Sequence, residues 1–408
     1  MVQQADGTRE DPQGTPGEVF LAFLKLGLTC FGGPIAHLGY FRDAFVLRRK
    51  WLDDEAYGDL VALCQFLPGP ASSQLGFALG ILRGGGLPGG LAAWAGFTLP
   101  SALALLAFAL AAPAVAGPTL DGVLHGLKLV AVAVVAQAVW GMARNLTPDR
   151  PRAAIALAAV GLAAFAGGAF AQICAIGLGA AAGLVLCRDG HAPPAGAMRL
   201  RFSLSPRLGA ALLALFAALL VLPPLLASGT AFQGVAVFDA FYRSGALVFG
   251  GGHVVLPLLQ AQVVAPGWVS PETFLAGYGL AQAVPGPLFT FAAYLGAVMG
   301  PPPNGVAGAA IALVAVFLPG LLLVAGILPF WDGLRRRSRA QAAMRGANAA
   351  VVGILAAALY SPVFTGAVFG PPDFAAALAG FLLLTVWKAP PLLVVALAAA
   401  AGPLLAAA

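Results

Sequence analysis

Two cations lie where the chain is otherwise apolar. Lys25 sits in Phe23-Leu-Lys25-Leu-Gly27-Leu-Thr-Cys-Phe31-Gly32-Gly33-Pro34. Arg243 sits in Phe241-Tyr-Arg243-Ser-Gly245-Ala-Leu-Val-Phe249-Gly250-Gly251-Gly252. Both follow one pattern, F-x-(K/R)-x-G-x-x-x-F-G-G. A cation inside a bilayer is costly unless paired or hydrated, so each is a candidate for function. The bland alternative is a side chain that reaches the interface along its aliphatic stem. Lys25 is only a few residues into its segment. Each stretch is followed by a second shared one: Trp51-x-x-x-Glu55, Gln65 and Pro68-Gly69-Pro70, then Trp268-x-x-x-Glu272, Gln282 and Pro285-Gly286-Pro287. Two ordered motifs at one nearly fixed offset mark a tandem repeat of about half the chain.

The second motif breaks helices. Proline removes a backbone donor and clashes with the preceding turn. Glycine lets the chain turn and lets a ligand approach, which applies to Gly32, Gly33, Gly69, Gly250, Gly251 and Gly286. Pro34 stands beside the first glycine pair, and its counterpart is Gly252. After Pro70 the chain reads Ala71-Ser72-Ser73-Gln74, and after Pro287 it reads Leu288-Phe289-Thr290. A half-helix starting there offers free N–H groups and the hydroxyls of Ser72, Ser73 and Thr290 to an anion. With Lys25 and Arg243, that set suits a small dianion. Gln65 and Gln282 stand three residues before each Pro-Gly-Pro. They either bond substrate or satisfy backbone groups freed by the break. Glu55 and Glu272 either couple transport to a proton or cation, with Asp59 as a further candidate, or act as first-turn carboxylates that complement the helix dipole.

Other chemistry is thin. His37 and His253 lie close to the glycine breaks at non-equivalent positions, and read as packing or hydrogen-bonding groups. Cys30, Cys64, Cys174 and Cys187 make no C-x-x-C pair and read as small buried residues. No metal-ligand spacing, cofactor motif or nucleotide loop occurs, so neither metal, cofactor nor enzymatic activity is expected.

The positioning elements follow from composition. The chain has 408 residues, 60% apolar and 9% charged, against about 25% charged in soluble proteins. Mean hydropathy is +0.90. This is the composition of a multi-pass membrane protein, with the bilayer as its partner. The net charge of +6 does not point to nucleic acid, because most of the 22 basic residues cluster in short loops. These lie at 42–50, 144–152, 188–207 and 335–345. Apolar segments recur from 19–40 to 389–407 and read as helices, since lipid leaves no partner for irregular backbone. If every segment spans, no orientation puts all four basic clusters on the cytoplasmic side. If 19–40, 57–83, 235–257 and 272–298 dip in and return, all four become cytoplasmic. An odd number of segments then separates the repeat starts, as it also does if every segment spans, so the repeats are inverted. The expected fold is an all-α polytopic membrane protein with two inverted-topology repeats, whose broken or re-entrant helices meet near the midplane. The expected organisation is a disordered cytoplasmic tail 1–17, a transporter repeat 18–187, a cytoplasmic linker 188–206, and a second repeat 207–408 with one extra leading helix.

Phe31-Gly32-Gly33-Pro34, the basic loop leading to Trp51, and Gln65-Phe-Leu-Pro68-Gly69-Pro70 resemble the chromate ion transporter family. Phe249-Gly250-Gly251-Gly252-His253 and Gln282-Ala-Val-Pro285-Gly286-Pro287 resemble the second half of its long-chain members. The resemblance covers about residues 18 to 400. It implies an inner-membrane secondary transporter that exports chromate and confers resistance. Sulfate, also a tetrahedral dianion, is the alternative cargo. A homodimer is one assembly open to such a chain. From a different class, an anion channel would use the same dips as a filter.

Overall fold

The computed structural model describes residues 14–31, 33–112, 117–166, 168–187, 204–227, 233–249, 252–334 and 337–405. Most of the tail and of the 188–206 linker, together with Gly32, Gly250 and Gly251, lie outside the described residues, as does the side chain of Pro34. The described residues contain α-, 3-10 and π-helix and no strand. Among them, five helices are long and apolar enough to cross a membrane: 87–111, 118–146, 206–224, 305–330 and 338–364. The protein is an all-α polytopic membrane protein.

The motif segments are interrupted where their glycines and prolines stand. In the first half they form α1 (Pro16–Thr29) and α2 (Gly33–Arg42), then α3 (Asp54–Phe66) and α4 (Ala71–Arg83). These helices have 14, 10, 13 and 13 residues. At 1.5 Å per residue none reaches across a core of about 30 Å. A full-length helix follows each set. In the first half these are α5 (Leu87–Ala111) and α6 (Pro118–Leu146), then a pair of shorter helices, α7 (Arg150–Ala166) and α8 (Gly168–Leu186).

The second half begins with an extra helix, α9 (Pro206–Ala227), and then repeats the series. It runs α10 (Gln233–Ala246), α11 (Val255–Leu259), α12 (Pro271–Ala283), α13 (Phe291–Val298) and α14 (Gly305–Ile327). After the short α15 (Trp331–Leu334) come α16 (Ser338–Ala358), α17 (Pro371–Thr385) and α18 (Pro391–Leu405). Even a local irregularity recurs. A π-helical turn precedes each motif tryptophan, at Asp43–Arg48 and at Gln260–Val264.

Packing explains much of the first motif. Phe23 and Phe241 are fully buried. A Cβ on Gly27 would strike the carbonyls of Gly96 and Phe97 on α5, and one on Gly245 would strike Val316 O on α14. The glycine therefore lets α1 lie against α5, and α10 against α14.

The outer ends of the dips meet. Arg83, at the end of α4, bonds Glu18, at the start of α1, at 3.4 Å. Both Arg83 and Arg49 lie over the Trp51 ring, at 5.6 and 5.7 Å. So the start of α1, the turn at Trp51 and the end of α4 lie side by side. In the second half, Gly300 N–H donates to Trp268 O at 3.0 Å, and Pro303 packs beside Gly234 at the start of α10. The start of α10, the turn at Trp268 and the end of α13 thus come together in the same way.

The last helices exchange between halves. The α7–α8 pair packs on α16, and the α17–α18 pair packs on α6. Equivalent glycines allow it, since a Cβ on Gly126 would meet Ala398 O of α18 and one on Gly346 would meet Gly179 O of α8. Small residues at such crossings let backbones approach closely.

Candidate functional site

Two hydrogen bonds join the breaks of opposite halves. Gly69 N–H donates to Val248 O at 2.6 Å, and Gly286 N–H donates to Cys30 O at 2.8 Å. Gly69 and Gly286 are equivalent in the repeat, and so are Cys30 and Val248. The bonds are therefore one contact seen twice, as in a two-fold interface. Both glycines have positive φ, +124° and +102°. A Cβ would also meet Gln74 Nε2 and Gly320 in the first case, and Ser101 Oγ and Phe97 O in the second. This double requirement accounts for glycine within each Pro-Gly-Pro.

Polar side chains collect at this crossing, almost all from the first half. Ser72, Ser73 and Gln74 on the first turn of α4 are buried, with Gln74 fully so. Gln74 Nε2 donates to Pro68 O at 2.9 Å and to Gly320 O at 3.1 Å. Ser72 Oγ lies 3.3 Å from Nδ1 of the buried His37. Thr98 and Ser101 of α5 are buried beside them, with Ser101 Oγ bonded to Thr98 O. Among the described residues, Ser73 Oγ, Gln74 Oε1, Thr98 Oγ1 and His37 Nε2 are buried without a hydrogen-bond partner. Such groups are expensive to leave unsatisfied, so a polar ligand at the crossing would find donors and acceptors without competitors. The equivalents of Ser72 and Gln74 are Phe289 and Phe291, both buried. Thr290 Oγ1 is bonded locally to Pro287 O at 2.8 Å. The backbone is symmetric here and the chemistry is not. His253, bonded to Tyr278 Oη at 2.7 Å, comes near Gly33 from the other half.

The charged candidates stand elsewhere. Lys25 is exposed on the surface of α1. Arg243 is half-buried and held by Asp239 one turn earlier, through Nε at 2.8 Å and a second nitrogen at 2.6 Å. Lys25 has no such mate, because Leu21 occupies the equivalent place. Among the described residues, neither cation bonds the other or the serines at the crossing. Glu55 and Glu272 are exposed in the first turns of α3 and α12. The caps are their neighbours: Asp53 accepts from Ala56 N–H at 2.8 Å, and Ser270 accepts from Thr273 N–H at 3.1 Å. Gln65 is exposed, whereas Gln282 is half-buried with Nε2 unpartnered among the described residues.

The family model for chromate transporters matches residues 17–184 and 235–403, one segment in each half. The chain belongs to the chromate transporter family. It is 30% identical to a chromate transport protein of Pseudomonas aeruginosa over 358 residues, 83% of this chain and 79% of the relative. It is 29% identical to a probable chromate transport protein of Synechococcus elongatus, covering 83% and 82% of the two chains. A chromate transport protein of Cupriavidus metallidurans is 28% identical, with coverage of 85% and 82%. No solved structure matches.

Family membership makes this protein a transporter and not an enzyme. Reading the sequence missed three of the transporter's central groups. Gln74 was visible only as a neighbour of Ser73. Thr98 and Ser101 lie on a helix that reads as uniformly apolar, so periodicity did not flag them. Asp239 was legible in principle, since a carboxylate four residues before an arginine is a helical ion pair.

Proposed function

We propose that this protein is a secondary carrier for chromate, and that it moves the dianion out of the cytoplasm. The observation that carries this reading is the central crossing. Four chain breaks, locked by the reciprocal Gly69–Val248 and Gly286–Cys30 bonds, surround unpartnered polar groups of Ser73, Gln74, Thr98 and His37. The first turn of α4 has unpaired N–H groups and the positive end of a helix dipole, both suited to an oxyanion. We read Ser72, Ser73, Gln74 and Gly33 as substrate-contacting groups, and Gly69 as part of the break. Gly286, Pro68, Pro70, Pro285 and Pro287 shape the break.

Equivalent helices α5 and α14 start from opposite sets of dip ends, Arg83 for α5 and Gly300 for α14. This supports inverted repeats, with the crossing near the midplane. The face carrying Trp51, Arg83 and the basic clusters is then cytoplasmic, in an inner membrane.

Inside-out vesicles containing the protein should accumulate radiolabelled chromate along a saturating curve, with sulfate competing. Exchange against internal chromate should occur without net current. A large unsaturated current would mean a channel, and no chromate movement would end the proposal.

A further inference from the structure

The second half brings one polar pair to the crossing. His253 stands in the 3-10 turn Gly252–Val254, directly after that half's glycine break. This turn packs on the turn Leu288–Thr290, which follows Pro287. His253 Nδ1 lies 2.7 Å from Tyr278 Oη on α12, with the two rings edge to face. Tyr278 is fully buried and packs edge-on against Phe291, centroids 5.7 Å apart. By the repeat offsets the equivalents of this pair are Ile35 and Val61, so the first half has no such pair.

The bond decides which imidazole nitrogen carries the proton. A buried phenol is costly to leave without an acceptor for its O–H. Among the described residues, His253 Nδ1 is the one acceptor bonded to Tyr278 Oη. Tyr278 therefore donates to Nδ1, and the neutral ring keeps its proton on Nε2. Nε2 is also the nitrogen nearest the other half. A Cβ built on Gly33 would lie 3.9 Å from it, and among the described residues no other non-local atom comes within 4 Å of that point. Gly33 opens α2 at φ +76°. One turn on, His37 reaches Ser72 Oγ at 3.3 Å. Nε2 thus stands beside the start of the helix that carries His37 to the serines of α4.

We propose that His253 is the second half's own contact with the cargo. Its Nε2–H donates to an oxygen of the oxyanion beside Gly33, and Tyr278 is the positioning residue that keeps the proton on that nitrogen. The proposal rests on the reading that an oxyanion binds at the crossing. A tetrahedral oxyanion presents acceptor oxygens in several directions. The hydroxyls of the first half meet some of them, and a neutral N–H from the second half meets another in a charge-assisted bond.

The test is half-saturation and maximal rate of chromate transport in vesicles, per inserted protein. An asparagine carboxamide stands where Nδ1 stands and keeps the bond to Tyr278, whereas a glutamine carboxamide reaches the place of Nε2. His253→Ala and His253→Asn should raise half-saturation roughly tenfold to hundredfold, the loss expected for a charge-assisted hydrogen bond. His253→Gln should recover most of it. Tyr278→Phe frees the proton to sit on either nitrogen, and should raise half-saturation severalfold with maximal rate retained. Combined with His253→Gln, which has no tautomer to fix, Tyr278→Phe should add nothing. If His253 serves only to hold Tyr278, His253→Asn restores transport and His253→Gln does not. That result overturns the proposal, as does wild-type half-saturation in His253→Ala. If His253→Ala fails to insert, the comparison of His253→Asn with His253→Gln decides. If wild-type vesicles move no chromate, the cargo reading falls instead. Equilibrium binding of radiolabelled sulfate to the purified protein then judges His253 alone. Weaker binding in His253→Asn than in His253→Gln supports the contact, and equal binding rejects it.

Discussion

At the scale of single residues, the crossing is built on two glycines that nothing else replaces. Gly69→Ala and Gly286→Ala each force a side chain into positive φ, at about 1–3 kcal/mol, and into backbone already in contact. Both variants should insert yet lose most chromate flux, read per inserted protein. Ser73→Ala should raise half-saturation by about twofold to tenfold, the range for one neutral hydrogen bond. Arg243 poses a different problem, because its partner Asp239 is buried. Arg243→Gln strands Asp239, so the double variant Arg243→Gln/Asp239→Asn should be more stable than the single one by thermal unfolding in detergent. Lys25→Gln, on an exposed surface, should leave half-saturation within about twofold.

At the scale of elements, the dips are closed by contacts at their outer ends. Cysteines placed at 46 and 338 should label from one face, and cysteines at 265 and 368 from the other. Labelling of 46 and 265 from the same face would remove the inverted arrangement. The 42–54 loop is tied down by Arg42, which donates to Asp54 through Nε and a second nitrogen, both at 2.7 Å. Arg42 holds the Asp54 carboxyl below its usual range. A carboxylate depressed in this way stabilises above its unfolded pKa of about 4 and loses that contribution as pH falls through its folded value. The tie is therefore intact at neutral pH and released only in acid. Asp54→Asn should leave the pH profile of flux between about pH 6 and 8 unchanged, while limited proteolysis opens the 48–50 run at neutral pH.

At the scale of the whole molecule, the halves are interlocked. Each long helix, α6 or α16, is covered by the terminal pair of the other half. Separate fragments 1–187 and 204–408 should each expose that helix and be degraded. Co-expressed, they should co-purify and restore chromate flux. Stable insertion of either fragment alone would mean that the exchange contributes little to stability.

The sequence by itself determined the class, the repeat and the breaks. Apolar content decides membrane or water, and proline and glycine interrupt helices by local sterics that need no tertiary context. The family, too, was legible in Phe31-Gly32-Gly33-Pro34 and Pro68-Gly69-Pro70. What the tertiary structure alone decided is which polar groups share a space. Lys25 and Arg243 match perfectly in pattern, yet a residue four positions away pairs one and not the other. Ser72 and Phe289 match in position, yet only one is polar, so a symmetric backbone carries a one-sided site. A repeat pattern reports the backbone path, whereas hydrogen bonding and charge depend on neighbours far away in the chain. Only folding brings those neighbours within reach.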